Sequence, residues 1–547
     1  SPTMELFGGS MLRLLRGVLA ALLLGAPVLE ACTNILVTKG ATRHGATLLT
    51  YSDDSHHRYG ELFFRPRMKH APGALREVID WGSGAFRGRI PEPPETYRRV
   101  GNLNEFQVAI GETTFGGRPE LAGSGMLDYG SLIYIALERA KTAREAIQVI
   151  TSLVAEYGYG SDGESLSICD PNEAWILEIM GKGKADKGAV WVAVRLPDGT
   201  MSAHANQARI RQFPLNDPAN ALYSPDVIRF AREKGYFKGA DKDFSFCQAY
   251  APWTFSALRA CEARVWSVFR RAAPSLDLPI DFVKGDPAAT PLPVWIKPDR
   301  KLEVADLMAL MRDHYEGTPF DMTKDVGAGP FALPYRWRPM GFEVDGKRYI
   351  HERAISTQQT AWSFVAELRG GLPNDLGGVL WFGMDDTAAT VYVPMYAGML
   401  EPPPSWREGQ GRWSEFSWDS AFWVFNFVTN YAYGRWSDMS QDIRRTQAEL
   451  EGRFLADQAD VERQALLLHR QDPRSAQAFL TAYSVRCAEE TVVRWRKLGE
   501  FLVWKYLDGN VRDSQGKVTH RPYPEAWNRR IVQDHGAVVE VPAGAKP

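Results

Sequence analysis

Cysteine is scarce in this sequence, and the signatures of several large enzyme classes are missing from it. The 547 residues include five cysteines and no CxxC pair, which argues against zinc ribbons and thioredoxin-type chemistry. No G-x-S-x-G, HExxH or Walker A sequence occurs, so a lipase-like serine hydrolase, a zincin and a P-loop NTPase are disfavoured. His56 and His57 are adjacent, but no third ligand cluster accompanies them. We therefore predict neither a metal site nor a cofactor.

Neither sign of charge dominates, and no hydrophobic run is long enough to span a bilayer. The chain has 64 Lys and Arg residues against 66 Asp and Glu residues, so it lacks the basic field that nucleic acid binding requires. The main apolar run, residues 17–29, falls short of the ~20 residues that a membrane-spanning helix needs. Aromatic residues make up 12% of the chain, which favours a large packed core.

The N-terminal region has the layout of a secretory signal. Arg13 and Arg16 precede the apolar run, and the small residue Ala31 stands directly before Cys32. We expect residues 1–31 to be removed, and the remaining protein to be exported to the periplasm or the extracellular space. No nucleic acid partner and no stable membrane insertion are expected after this removal. The sequence leaves the formation of a homo-oligomer open.

Hydrophobic patterns after residue 32 predict an α+β fold. The segments TNILV and ATLLTY, around a Gly-containing turn, predict a hairpin that is followed by a polar loop over residues 52–59. Apolar spacings of three and four over 131–157 predict one amphipathic helix. Two further helices, 440–470 and 475–507, are separated by Asp472-Pro473. This order of elements predicts a catalytic domain over 32–400 and a helical part over 401–547 that packs on it.

Cys32 is the main candidate for chemistry because of its position. Cleavage between Ala31 and Cys32 would give Cys32 a free α-amine, which titrates near ~7.7–8.0 and can act as a base at neutral pH. A thiol with a pKa near ~8.5 beside that amine needs little help to form a thiolate. One residue then supplies both the nucleophile and the base.

Two other interpretations of Cys32 remain open on the residues alone. Free cysteines are often buried structural thiols. The sequence Leu29-Glu30-Ala31-Cys32 also resembles a lipobox, in which Cys32 would carry acyl chains and anchor a surface protein to a membrane. Glu30 is atypical of a lipobox, and a predicted strand begins directly after Cys32 rather than a flexible tether. Elsewhere, Cys247 and Cys261 are near enough in sequence to pair, although spacing does not fix disulfide geometry.

Longer segments carry a family resemblance. The start CTNILVTKGATRHGATLLTYSDD resembles the mature N-terminus of the dipeptidase A family of N-terminal-nucleophile hydrolases, which are relatives of penicillin V acylases and bile salt hydrolases. NEFQVAIGETTF, AHANQARI, RDHYEGTPFDMTKD and GGVLWFGMDDTAATVYVPMYAG are also similar to segments of that family, in the same order. The resemblance implies a four-layer αββα sandwich and the hydrolysis of dipeptides without a metal. An N-acyl amidase of the acylase type is the alternative activity.

The resemblance also implies roles for particular residues. Cys32 corresponds to the N-terminal nucleophile, and Asp54 to the acid that holds its α-amine. Asn206 corresponds to an oxyanion donor, with Thr113 near a second donor, and Arg264 to a late arginine close to the nucleophile. Each residue also has an ordinary structural explanation: Asn206 as a turn residue, Arg264 as a surface ion-pair partner and Asp54 as a loop carboxylate.

One position departs from the superfamily pattern. Tyr51 stands where an arginine often precedes the acid, which leaves Arg43 or Arg58 as sources of positive charge for the thiol. For a dipeptide substrate, Asp53 or Asp54 is a candidate to bind the ammonium group, and an arginine to bind the carboxylate.

Overall fold

Antiparallel sheets form the centre of the molecule in the computed structural model, which describes residues 31–545. In chain order the strands are β1 Thr33–Val37, β2 Thr47–Asp54, β3 Phe64–Arg65, β4 Met68–Lys69, β5 Leu75–Ile79, β6 Phe86–Pro91, β7 Glu95–Thr96, β8 Arg99–Val100, β9 Leu103–Asn104, β10 Ala109–Gly116, β11 Gly163–Cys169, β12 Ala174–Gly181, β13 Ala189–Arg195, β14 Met201–His204, β15 Ala221–Tyr223, β16 Trp295–Ile296, β17 Gly341–Val344, β18 Lys347–Ile350, β19 Thr360–Leu368, β20 Gly378–Met384, β21 Val393–Tyr396, β22 Val511–Arg512 and β23 Val518–Thr519.

Helices flank the sheets and fill most of the C-terminal region. In chain order the α-helices are α1 Tyr129–Leu137, α2 Ala143–Tyr157, α3 Val227–Glu233, α4 Phe246–Tyr250, α5 Ala263–Ala272, α6 Val304–Met311, α7 Asn374–Gly377, α8 Ala421–Tyr433, α9 Trp436–Gln471, α10 Pro473–Lys505 and α11 Glu525–Val539.

The first large sheet carries the predicted hairpin at its centre. Its strand order is β16-β14-β1-β2-β19-β20-β21, and all its pairings are antiparallel. Every residue of β1 and β2 is buried, as expected of strands that are covered on both faces. Strand β2 continues to Asp54, so the prediction of a loop from residue 52 was wrong for Ser52–Asp54. Ser52 pairs with β1 on one side and β19 on the other, whereas Asp53 and Asp54 pair with β19 alone.

The second large sheet has the order β15-β13-β12-β11-β10-β9-β8-β3 and is also antiparallel. Its strands β10 and β11 lie against β1 and β2 of the first sheet. Side chains of β1 therefore alternate between this second sheet and the opposite face. On the sheet-facing side the Asn34 amide hydrogen-bonds to Ser167 on β11 at 3.0 Å. On the other side Thr33 accepts a hydrogen bond from Arg264 on α5.

Helices pack on the outer faces of both sheets. Helices α1 and α2 lie on β10–β13, whereas α5 lies on β14 and α6 on β2 and β19. The single helix that we predict over 131–157 is in fact two helices, since the chain turns between Leu137 and Ala143. The Thr142 hydroxyl accepts a hydrogen bond from the Glu145 N–H at 3.1 Å and so begins the second helix.

The predicted C-terminal helices are confirmed as α9 and α10, and Asp472-Pro473 separates them. They pack with α8 against β20 and β21, and their buried side chains belong to the same hydrophobic core as the first sheet. The structure therefore confirms antiparallel sheets with helices and a helical C-terminal region. The division at residue 400 stays a prediction. No helix within 31–545 is long and apolar enough to cross a membrane.

Candidate active site

Cys32 lies at the edge of the space between the two sheets, directly before β1. Its side chain is buried. The Sγ atom lies 3.2 Å from Glu112 Oε1 and 3.9 Å from the Tyr51 hydroxyl. The Tyr51 hydroxyl in turn donates a hydrogen bond to Glu112 Oε1 at 2.5 Å. The thiol therefore belongs to a cluster of three polar side chains from β2, β10 and the start of β1.

The surroundings of this thiol favour its protonated form. Burial raises the pKa of Cys32 well above its ordinary value, and the carboxylates of Glu112, Asp53 and Asp54 raise it further, while a backbone hydrogen bond with Asp54 acts in the opposite direction. Burial also raises the pKa of Tyr51 well above its ordinary value, with smaller contributions from Cys32 and Glu112. Tyr51 is therefore a neutral donor and not a substitute for a positive charge.

Arg264 joins the nucleophile candidate to Asn206. Its Nη1 donates hydrogen bonds to the Cys32 carbonyl at 2.8 Å and to Thr33 Oγ1 at 3.0 Å, and its Nη2 donates to Asn206 Oδ1 at 2.9 Å. The side chain is 1% exposed, so Arg264 is a buried donor and not a surface ion-pair partner. A π-helical turn, Ala257–Glu262, leads directly into α5 and places Arg264 at this point.

Asn206 follows β14 in a left-handed backbone conformation with φ 65°. Its Nδ2 donates a hydrogen bond to the Thr114 carbonyl at 2.7 Å, while its Oδ1 accepts from Arg264. The side-chain amide is therefore fixed between α5 and β10. The arginine that donates to its oxygen also donates to the Cys32 carbonyl. An amide in a fixed position is a suitable donor for a developing oxyanion.

Asp54 lies beside the peptide group that precedes Cys32. Its carboxylate accepts a hydrogen bond from Thr360 Oγ1 at 2.6 Å and pairs with Arg353 at 2.5 Å. Arg353 also donates to the Ala31 carbonyl, and the Ala31 N–H donates to the Asp54 carbonyl at 3.0 Å. Cys32 is still joined to Ala31 here, so its nitrogen is an amide and not an amine.

Asp53 and Thr113 contact other partners. Asp53 Oδ2 lies 3.6 Å from Arg58 Nη1, in an ion pair that is largely buried. Thr113 Oγ1 lies 2.7 Å from His204 Nδ1. The buried His204 ring connects Thr113 to Glu178 at 3.2 Å, so this hydroxyl belongs to a second polar group between the sheets. The roles of Asp53 in binding the substrate ammonium group and of Thr113 near a second oxyanion donor stay predictions.

Neither arginine that we considered as a substitute for the missing superfamily arginine contacts the thiol. Arg58 pairs with Asp53 and donates to the Tyr129 hydroxyl at 2.7 Å. Arg43 lies beyond the other end of β1 and pairs with Glu303 at the surface, 3.1 Å away. All five cysteines are free thiols, so Cys247 and Cys261 form no disulfide.

Two residues of the site were not singled out in the sequence. Glu112 stands directly before Thr113 in GETT, within a segment that carries the family resemblance. Its side chain contacts Cys32, whereas that of Thr113 contacts His204. Arg353 pairs with Asp54 from 299 positions away. No local pattern around HERAIS indicates this contact.

Comparisons with known proteins agree with the resemblance. The sequence model described as peptidase family C69 matches residues 82–449. A probable dipeptidase of Salmonella dublin is 27% identical over 409 residues, which cover 70% of this chain and 85% of that protein. A probable dipeptidase of Latilactobacillus sakei is 23% identical over 83% of this chain and 91% of its own length. A probable dipeptidase B of Streptococcus pyogenes serotype M1 is 22% identical over 86% and 93% of the two chains.

Proposed function

We propose, since this chain belongs to peptidase family C69, that it is an exported cysteine dipeptidase whose nucleophile is the thiol of Cys32. The names of its relatives support dipeptides as the substrate class. The signal layout of residues 1–31 supports export and removal of the segment before Cys32.

One observation carries the proposal. The Cys32 thiol lies within a buried polar cluster, and Arg264 holds the carbonyl of the same residue together with the Asn206 amide. A structural cysteine has no need of such partners, because buried free cysteines usually pack as small apolar side chains. The arrangement instead provides a nucleophile and a fixed amide whose residues are both bound by Arg264.

The reaction begins when cleavage before Cys32 converts its amide nitrogen into an α-amine. This amine takes the thiol proton, and Sγ forms a bond to the scissile carbonyl carbon. The Asn206 amide stabilises the oxyanion that results. The C–N bond of the substrate then breaks, and the leaving amine takes the proton.

A water molecule then adds to the thioester carbon and gives a proton to the α-amine. The C–S bond breaks, and the second product leaves with a carboxylate group. The sulfur regains its proton, and the cycle closes without a metal. In this scheme Asp54 positions the α-amine, which is formed beside the peptide group that Asp54 and Arg353 now hold.

The proposal includes the arrangement of layers. We propose that α1 and α2, the two sheets, and α5 and α6 correspond to the four layers of an αββα sandwich. The packing of each helix pair on the outer face of one sheet supports this arrangement.

The intact mass and the N-terminal sequence of the protein, made from the full chain in an exporting host, test the proposal. Samples with and without iodoacetamide are assayed with a panel of dipeptides. We expect a chain that begins at Cys32, a single essential alkylation on Cys32 and loss of dipeptide hydrolysis after alkylation.

Other results would contradict specific parts of the proposal. If the chain begins at another residue, Cys32 has no α-amine, and the proposed mechanism has no base. A Cys32 that is heavier by several hundred daltons and partitions into membranes would identify a lipid-anchored protein. Hydrolysis of penicillin V or conjugated bile salts, but not of dipeptides, would identify an N-acyl amidase with the same nucleophile.

A further inference from the structure

Within residues 31–545, a buried carboxylate beside the thiol has no cation of its own. Glu112 is 1% exposed. Its Oε1 contacts Cys32 and Tyr51, whereas its Oε2 has no hydrogen-bond partner in the structure of residues 31–545. No Lys, Arg or His side chain of that part of the chain forms an ion pair with it. An uncompensated buried charge is costly, so Glu112 is suited to receive a cation from outside the protein.

The neighbouring acids are different, because each already has an arginine. Arg58 lies 3.6 Å from Asp53, and Arg353 pairs with Asp54 on the other face of β2. The Arg264 guanidinium is occupied by the carbonyls of Cys32 and Ala205 and by Asn206. The arginines around the site thus leave Glu112 as the carboxylate whose charge is not balanced.

A dipeptide brings a cation to this position by its own covalent geometry. Its α-nitrogen is about 2.5 Å from the carbonyl carbon of the same residue. A productive complex places that carbon about 3–3.5 Å from the attacking sulfur. The ammonium group must therefore lie within about 6 Å of Cys32 Sγ. Glu112 Oε1 lies 3.2 Å from the same sulfur, so an ammonium group on this side of the sulfur can reach the Glu112 carboxylate.

We propose that Glu112 binds the α-ammonium group of the first substrate residue, and that the site thereby selects dipeptides with a free amino terminus. This inference rests on the proposed dipeptidase function and extends it to a specificity-determining residue. Tyr51 acts as a positioning residue, since its hydroxyl fixes Oε1 and leaves Oε2 for the substrate.

Binding and activation of the nucleophile are then linked. The negative charge of Glu112 contributes to the raised pKa of the Cys32 thiol. An ammonium group on Glu112 offsets that charge, so the thiolate forms more readily when a dipeptide is present. A substrate without the ammonium group gains neither the ion pair nor this effect.

The test compares wild-type protein with the E112Q and E112D variants, each made from the full chain in an exporting host. The substrates are a dipeptide and the same dipeptide acetylated on its α-nitrogen. The competitive inhibitors are the first amino acid of that dipeptide and its N-acetyl form, which report binding even where the acetylated dipeptide is cleaved too slowly to measure. Glu138→Gln is the matched control, because Glu138 is also buried but already pairs with Arg76 at 2.5 Å.

We expect the wild-type protein to prefer the free dipeptide and the free amino acid by about 100-fold over the acetylated forms. This is the size of preference that one buried charge-assisted hydrogen bond provides. E112Q should raise KM for the free dipeptide and remove most of this preference, whereas E112D should restore part of it. E138Q should leave the preference unchanged.

Two results would overturn the inference. If E112Q lost activity and inhibitor affinity equally for the free and the acetylated compounds, Glu112 would act on the thiol or on the Cys32 amine instead. An unchanged preference would mean that another group binds the ammonium. In both cases the wild-type protein still hydrolyses dipeptides. Failure of the proposed function is distinguishable, because the wild-type protein would then hydrolyse no dipeptide at all.

Discussion

Arg264 hydrogen-bonds to both the Cys32 backbone and the Asn206 side chain, although these residues lie at the ends of different strands. Its Nη1 lies 2.8 Å from the Cys32 carbonyl oxygen, and its Nη2 lies 2.9 Å from Asn206 Oδ1. The rigid guanidinium fork fixes the relative positions of its two acceptors. One side chain therefore positions both the proposed nucleophile residue and the amide that we propose as the oxyanion donor.

The variant R264K tests this coupling. A lysine carries one compact ammonium group and cannot hold both acceptors in the same way, so we expect kcat for a dipeptide to fall by about 100-fold. Steady-state kinetics measure this loss, and KM should change much less. R271K is the control, because Arg271 lies on the same helix and pairs with Asp313 at 3.2 Å. A similar loss of kcat in R271K would contradict a specific role for Arg264.

The variants N206G and N206A separate the role of the Asn206 amide from that of its backbone. Asn206 has φ 65°, which glycine adopts without strain and alanine does not. Both variants lose the oxyanion donor, so we expect kcat to fall by roughly 10²–10³-fold in both. Both variants lose the hydrogen bonds to Arg264 and Thr114, so the backbone strain appears as a difference: N206A should have about 1 kcal/mol less unfolding free energy than N206G, which urea denaturation measures. Full activity in N206G would exclude the amide from the oxyanion site.

The sequence predicts the residues whose importance depends on position or type, and misses those whose role depends on packing. The C-terminal helices are predictable because Asp472-Pro473 separates them, and the role of Cys32, which stays a prediction, follows from its position after a signal layout. Glu112 contacts Cys32 from 80 positions away, across the gap between two sheets. No local pattern encodes such a contact, because it depends on how the sheets face each other.

Other discrepancies had a local signal. Thr142 and Glu145 form a capping-box sequence inside the region that we predict as one helix, and the structure starts α2 there. Asp53 and Asp54 looked like loop residues because they are charged. Backbone pairing with β19 places them in β2, and Arg58 and Arg353 pair with their carboxylates.

A third prediction concerns the buried pair of Asp54 and Arg353. Removing one partner leaves an uncompensated charge, so R353M should lower the unfolding free energy by about 3–5 kcal/mol. The double variant D54N/R353M should lose less unfolding free energy than R353M alone, since no charge is left unpaired. Urea denaturation of the single and double variants measures this coupling.

The control for this cycle is R300M, because Arg300 and Asp306 form an ion pair in which the arginine is mostly exposed. The R300M substitution should lower the unfolding free energy by less than about 1 kcal/mol. Strict additivity of the Asp54 and Arg353 effects would contradict the predicted coupling and make the pair energetically independent.

A fourth prediction concerns Asp385, at the end of β20. Burial raises its pKa to about 7, although Asn426 donates a hydrogen bond to its Oδ1 at 2.8 Å. The folded protein binds this proton more tightly than the unfolded chain, in which an aspartate titrates near ~3.9. The stability contributed by the protonated form is therefore fully present below about pH 4 and is lost as the pH rises towards 7. Because one pKa unit corresponds to ~1.4 kcal/mol, the unfolding free energy lost in this way is roughly 4 kcal/mol at most.

The variant D385N has no proton to lose, and asparagine tolerates the left-handed conformation of this position, φ 68°. We therefore expect the unfolding free energy of D385N, relative to wild type, to increase between pH 4 and 7 and to level off above that range. Urea denaturation at several pH values measures the difference. The Asp419→Asn variant, at an exposed position, controls for the effect of the substitution itself. A constant or decreasing difference for D385N would mean that Asp385 is ionised in the folded protein throughout this range, so that its burial would have to be balanced by a partner charge.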